Sequence, residues 1–240
     1  MYVAKHFEIP DDHLTELLSQ VRAGNLVTVH ESGPHATFVP FHLETRETGQ
    51  VLVTHLMRNN PQAVEPVTGP ALVIIDIDDA YVSPAWYATN EALPNVPTWD
   101  YITIHVTGKV RFTTDPDAAL EAARELTSRM EPPEVLEAVG EEKLRKMARA
   151  IVRAEVVVER IQGKAKASQN RHPDDVSSLL AHLEREGETE LVRYLREVAL
   201  PHATERFGMI HDLRATRRLP TSAAGRKAPR AEESPSPEIG

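Results

Sequence analysis

Between residues 26 and 113 the apolar residues come in short runs, and this pattern limits the fold more than any other feature of the chain. Segments 26–30, 36–43, 50–54, 71–77, 80–82 and 101–113 are rich in β-branched and aromatic residues. Turn clusters such as Glu31-Ser32-Gly33-Pro34 and Asn59-Asn60-Pro61 separate them. Such runs predict strands, and strands this closely spaced bury their apolar faces in a barrel or a sandwich. Flanking segments change period. Leu14, Leu17, Leu18 and Val21 follow Pro10-Asp11-Asp12 at helical spacing and predict a helix closed by Gly24 at its C′ position. Asp115-Pro116-Asp117 caps a helix carrying Ala119, Leu120, Ala123 and Leu126, which Pro132-Pro133 ends, and a second helical stretch covers 134–148. Val156-Val157-Val158 and Ile161 predict a returning strand stopped at Gly163, and 174–186 with 188–198 predict a helical hairpin around Gly187.

With 240 residues and 41% hydrophobic content the chain is long and apolar enough for a real core. There is no cysteine, which removes disulfides, thiolate nucleophiles and cysteine-ligated metal centres. A net charge of -9 repels phosphate backbones at long range, so a nucleic-acid partner requires a local basic patch. The first residues turn acidic by Asp11-Asp12 without an apolar leader core, and the stretch at 71–75 is far shorter than the ~20 residues of a membrane-spanning helix. The expected setting is cytoplasmic, with no membrane partner. Residues 1–215 are read as one domain and 216–240, rich in Arg, Ala, Pro, Ser and Glu, as a disordered polar tail.

Three segments are suited to chemistry. Thr54-His55-Leu56-Met57-Arg58-Asn59-Asn60-Pro61 ends a strand in a polar turn before a short helix, where backbone N–H groups and an Arg fork match phosphate oxygens; a solvated strand-to-helix turn is the alternative. The segments around Trp86 and Trp99 hold both tryptophans, in company with Tyr81, Tyr87, Tyr101 and several prolines. They edge a planar ring, plug the barrel or line a dimer interface. Lys164, Lys166, Ser168, Gln169 and Asn170 supply donors for the carbonyl or phosphate oxygens of a ligand, or else form a helix-capping loop. Eleven histidines form no His-Glu-x-x-His pattern, and His30, His42, His55 and His105 are placed as strand histidines with no metal expected. Dinucleotide and P-loop glycine motifs are absent, as is a G-x-S-x-G elbow.

Taken in order, Met1-Tyr2-Val3 with His6-Phe7, His55 to Pro61, Tyr81 to Tyr87, Val96 to Tyr101 with His105 and Gly108, and Lys166 to Asn170 resemble the PaiB-type FMN-binding negative transcriptional regulators. The resemblance runs from residue 1 to about 210. It implies a mainly β, α+β fold: an FMN-binding split β-barrel related to pyridoxamine-phosphate-oxidase-like proteins, with a C-terminal helical hairpin. It also implies a homodimer with FMN near the subunit interface. By similarity Thr54, His55, Arg58 and Asn59 face the phosphate and ribityl chain, Lys166, Ser168 and Gln169 approach from another segment, and Trp99 stands at the ring or the interface. The chain departs from the pattern at Ala4, at Phe38 where histidine is usual, and at Asp100 where asparagine is usual. An amide can donate to a flavin atom, whereas an ionised carboxylate only accepts, so these two changes alter the expected grip on the cofactor.

Three functions are carried forward from this reading: an FMN-binding regulator with a DNA or protein partner, a flavin-dependent oxidoreductase or oxygenase, and a cofactor-free dimeric scaffold. The 174–198 hairpin has helix-turn-helix proportions, but Glu188, Glu190 and Glu197 offset Arg193 and Arg196, unlike a recognition helix. Sustained positive charge begins only with Arg206, Arg214, Arg217, Arg218, Arg226, Lys227 and Arg230. That stretch suits salt-sensitive phosphate binding or simple solubilisation.

Overall fold

In the computed structural model, which describes residues 1–217, six antiparallel strands close into a barrel in the order β1-β2-β3-β6-β5-β4. The strands are β1 (Arg22–His30), β2 (Gly33–Arg46), β3 (Gly49–Met57), β4 (Ala71–Val82), β5 (Thr98–Thr113) and β6 (Ile151–Lys166). Each expected apolar run lies in a strand, but 71–77 and 80–82 are joined in the single strand β4, and β6 continues through Gly163, its expected stop, to Lys166. The wall is completed by β1 against β4, over only Asn25 to Val27. Leu26, Phe41, Leu52, Val73, Ile75, Ile102 and Ile104 fill the interior, each 2% exposed or less.

The first helix, α1 (Asp11–Ser19), ends three residues earlier than expected, with Gln20 as its C-cap. Gly24 is not its C′ residue but a strand residue of β1, where a Cβ would sit 2.4 Å from the Ile74 carbonyl oxygen. Closure of the barrel at β1 and β4 therefore requires the absence of a side chain there. Between β3 and β4 lies α2 (Pro61–Val64). After β5 come α3 (Pro116–Ser128), α4 (Pro133–Val139) and α5 (Glu141–Ala148), so the single stretch expected over 134–148 is divided at Gly140. A third helical group follows β6: α6 (Pro173–Leu183), α7 (Glu190–Tyr194), a π-helical turn at Leu195–Ala199 and α8 (Leu200–Arg217). The expected hairpin is thus present, with Leu179, Leu180, Leu183, Leu191 and Leu195 buried. The expected tail lies outside the described residues from 218 onward. Among the described residues no helix is long and apolar enough to cross a membrane.

The helical groups occupy opposite ends of β6. Met57 pairs with Ile151 at one end, directly after α5, and Tyr101 pairs with Lys166 at the other, directly before α6.

Candidate functional site

At the Lys166 end, sheet pairing sets Tyr101 against Lys166 and so carries Asp100 into the interior, fully buried. The Lys166 ammonium donates to Asp100 Oδ1 at 2.9 Å, to Thr98 Oγ1 at 2.7 Å and to the Trp99 carbonyl at 2.7 Å. Ser168 Oγ donates to Asp100 Oδ2 at 2.6 Å and meets the Tyr87 hydroxyl at 3.1 Å. Burial pushes the Asp100 carboxyl above the ordinary carboxylate range, against the opposing pull of Ser168 and Lys166. Ser168 sits at φ 55°, a left-handed conformation that a side chain adopts only when its surroundings hold it. Gln169 donates to the Ala165 carbonyl at 2.7 Å and accepts from the Ala167 N–H at 2.8 Å. Of the three side chains that the sequence assigned to a cofactor here, Ser168 and Gln169 are thus buried, whereas Lys166 is partly exposed and spends its ammonium on Asp100, Thr98 and the Trp99 carbonyl. Asp100 carries a compensated charge within this brace.

On the outer face beside this brace is a cavity of about 580 Å³ lined by Tyr2, Trp99, Tyr101, His105, Lys164 and the aspartates 76, 78 and 79. Trp99 is 53% exposed and its indole N–H donates to Asp79 Oδ1 at 2.7 Å. Tyr81 meets Trp99 edge-on at 6.0 Å, and Lys164 Nζ stands 5.3 Å over the Tyr101 ring. Trp86 is set apart from this cavity by stacking on His182 at 4.0 Å. Burial holds His105 below the usual imidazole value. Such a slot can take a planar ring by stacking and place a cation at its edge. Next to it, the outer row formed by Phe38, Asn25, Ile74 and His105 continues into a second row of Ala36, Val27 and Leu72. Phe38 is 68% and Val29 43% exposed, so this barrel wall is apolar on its outside as well as its inside.

At the opposite end, Thr54 points into the barrel with Leu52 and Leu56, whereas His55 shares the outer face with Val53. Thr54 Oγ1 and His55 Nδ1 are both buried and lack hydrogen-bond partners. Burial lowers the His55 pKa, favouring the neutral ring. Arg58 directs Nε to the Arg149 carbonyl and Nη2 to those of Thr114 and Ile151, at 2.8, 2.8 and 3.3 Å, which locks the turn to β6. Asn59 is exposed. Asn60 caps α2 by accepting from the Gln62 N–H, and Gln62 is buried, donating to Leu26 O at 3.0 Å and Thr28 Oγ1 at 2.8 Å. Asn60 and Gln62 thereby plug the opening where β2 leaves β3. Of the eight sequence-assigned residues, Thr54, His55, Arg58 and Asn59 are gathered at this end and Trp99, Lys166, Ser168 and Gln169 at the other.

A polar cluster that sequence reasoning missed ties α3 to the barrel. His42, 1% exposed, directs Nε2 to Glu44 at 3.0 Å and Glu125 at 3.4 Å. These three could hold a metal ion, yet Arg46, Arg153 and Arg129 already engage the two carboxylates and supply the positive charge a cation would bring. Glu155 accepts from Arg46 and from Arg153, both at 2.8 Å. The signal was legible as His42-x-Glu44-x-Arg46 and Arg153-x-Glu155, since alternate residues share a strand face. Hydrogen bonds from Arg46 and then Arg153 hold the Glu155 carboxyl below its ordinary value of 4.5. A carboxyl lowered on folding adds stability above its unfolded value, and that stability is lost as pH falls through the folded value. The urea midpoint is therefore expected to fall progressively below about pH 4.5. Glu155→Gln should flatten this acid limb. An unchanged limb in the variant would remove the cluster from the account of acid stability.

The family model described as "Putative FMN-binding domain" matches residues 1–160. The chain is 28% identical over 199 residues to "Protease synthase and sporulation protein PAI 2" of Bacillus subtilis, covering 78% of this chain and 90% of that protein. It is 29% identical over 137 residues to the uncharacterized protein YKL070W of Saccharomyces cerevisiae, covering 48% and 80%. Among solved structures it is similar to the flavocytochrome Anf3 of Azotobacter vinelandii, with TM-score 0.49, 13% identity and coverage of 65% and 67%. The FAD and heme binding protein of Mycobacterium smegmatis gives TM-score 0.48, 18% identity and coverage of 65% and 71%.

Proposed function

The chain belongs to the FMN-binding domain family, and from that premise we propose that it acts as a homodimer holding FMN between two barrels, with a regulatory rather than a catalytic output. The observation that carries this reading is the aromatic slot at Trp99 and Tyr101 beside an apolar outer barrel wall. A wall that is apolar on both sides is stabilised by a second copy covering it. In such a dimer Trp99 and Tyr101 would hold the ring in the slot, with Lys164 near its polar edge. The bound flavin supplies one- or two-electron redox chemistry.

The two groups of assigned residues stand fifteen residues apart along β6, roughly 50 Å of strand contour at 3.3 Å per residue. This separation supports a site shared between chains: the slot comes from one protomer, and His55, Arg58 and Asn59 come from its partner to meet the ribityl phosphate. Orphaned His55 Nδ1 gives that end an unmet hydrogen bond, which suits a polar ligand. Thr54 backs this surface from inside the barrel, while Lys166, Ser168 and Gln169 hold Trp99 in place through its carbonyl and the Asp100 brace.

A role in transcription, in keeping with the resemblance to negative regulators, would act through protein contacts. The α7 backbone is tethered to β4 by the Leu191 N–H bond to Asp78 at 2.8 Å, and Arg193 pairs with Glu16. A reading helix needs a free basic face. A cytoplasmic location belongs to the same proposal.

Purified protein titrated with FMN should acquire a two-banded visible spectrum, elute as a dimer and lose at least tenfold in affinity on Trp99→Ala or Asn59→Asp. Mixing the two variants is the sharper measurement. A shared site regenerates one intact flavin site per mixed dimer, whereas a site built within one chain regenerates none and overturns the reading.

A further inference from the structure

We propose that Phe38 of a second copy of this chain walls the slot at Trp99 and Tyr101, the two barrels meeting along the seam between β1 and β4 on a two-fold axis parallel to the strands. The inference rests on the dimer reading above and names what the partner brings to the ring end of that site. Phe38 stands largely exposed on the outside of β2. Between it and His105 lie the outward residues Asn25 and Val27 of β1 and Leu72 and Ile74 of β4, none of them ionisable. A patch of this kind meets a second copy of itself without taking a charge out of water. Within one chain Phe38 does not reach its own slot. It is three strand spacings from His105, roughly 14 Å at about 4.8 Å each, and the closed wall curves away on both sides of the seam.

Two convex walls that touch along their seams leave a wedge on each flank, and the direction of the axis decides what lines it. An axis parallel to the strands sets β2 of one copy across from β5 of the other, so that the partner's Phe38 faces His105 and Tyr101. An axis across the strands sets β2 against β2 and β5 against β5. Only the first joins the slot to the polar turn. Asn60 Nδ2 donates to Thr37 Oγ1 at 3.0 Å, which holds the turn at Arg58 and Asn59 close to Phe38, so both arrive at the slot together. Phe38 has no side-chain donor. Its contribution is a flat apolar face that keeps water off a planar ring.

Mixed dimers of the full-length protein, titrated with FMN, test the assignment. Phe38→Ala should weaken FMN at least about fivefold, and Phe38→Tyr, which keeps the ring, should stay within about twofold of the parent. Mixing Phe38→Ala with Trp99→Ala should regenerate one intact site per mixed dimer, because the two lesions then fall on the same site. Because the chain has no cysteine, Phe38→Cys gives a second reading that needs no flavin. The strand-parallel axis holds the two residues 38 on opposite flanks, so a thiol crosslinker shorter than three strand spacings should leave the chains separate on a denaturing gel. A covalent dimer from this single variant would mean the crossed axis and overturn the inference, as would unchanged FMN affinity in Phe38→Ala. Recovery when Trp99→Ala is mixed with Asn59→Asp but not with Phe38→Ala would overturn it while the dimer reading stands. A monomer by light scattering would remove both.

Discussion

Replacing Lys166 with methionine is expected to destabilise the protein by about 3 kcal/mol, because it leaves the Asp100 carboxylate buried with only Ser168 to answer it. Breaking a buried pair from one side costs more than removing both charges, since the stranded partner keeps its desolvation penalty. Lys166 is 27% exposed on its side chain, so the reverse change is milder. Asp100→Asn leaves an ammonium that still donates to Thr98 and the Trp99 carbonyl and still reaches water, and should cost about 1 kcal/mol. The double variant, Lys166→Met with Asp100→Asn, is expected to recover to within about 1 kcal/mol of the parent. Urea unfolding at pH 7 measures all three. A single Lys166→Met variant as stable as the parent would show that the brace contributes nothing to the fold. Flavin affinity then becomes the remaining role for this lysine.

A comparably large loss is expected from one added methyl group. At the register shift between Thr107 and Gly108, where β6 bulges at Glu159 against β5, a Cβ on Gly108 would lie 2.0 Å from the Val157 carbonyl oxygen. The obstacle is backbone in the barrel wall, so no side-chain rotation relieves it. Gly108→Ala should cost about 3 kcal/mol or more and lower the melting temperature by roughly 10 °C. Gly69, with open space around its Cβ position, provides the contrast. Its alanine variant should stay within about 0.5 kcal/mol of the parent. Equal melting curves for the two variants would mean that the bulge can relax, and that β5 and β6 are less tightly coupled than their pairing implies.

These two cases also separate what local pattern reveals from what it hides. The alternation in 26–30, 36–43, 50–54 and 101–113 was legible because one face of each strand must be apolar whatever its neighbours are. The same alternation says nothing about which strand lies next to which. Gly24 illustrates the difference: beside Val21 it reads as a helix terminator, and only its approach to the Ile74 carbonyl explains it. The aromatic segment at Trp99 was legible as a candidate ring wall, and His55, Arg58 and Asn59 as a polar turn. That they stand at opposite ends of β6, that Ser168 and Gln169 are buried, and that Lys166 is tied to Asp100, follows from pairings between distant parts of the chain.

By itself, then, the order of residues determined the strand and helix repertoire, the family resemblance with its flavin, and the aromatic and polar segments suited to that cofactor. The tertiary structure decided the partners. Asp100 is a buried charge because β5 and β6 bring Lys166 to it from 66 positions away, and His42 meets Glu125 because α3 folds back over β2 and β6. Local composition can signal how much apolar surface a segment must hide. Which distant charge will meet it is settled only when barrel closure removes water from both.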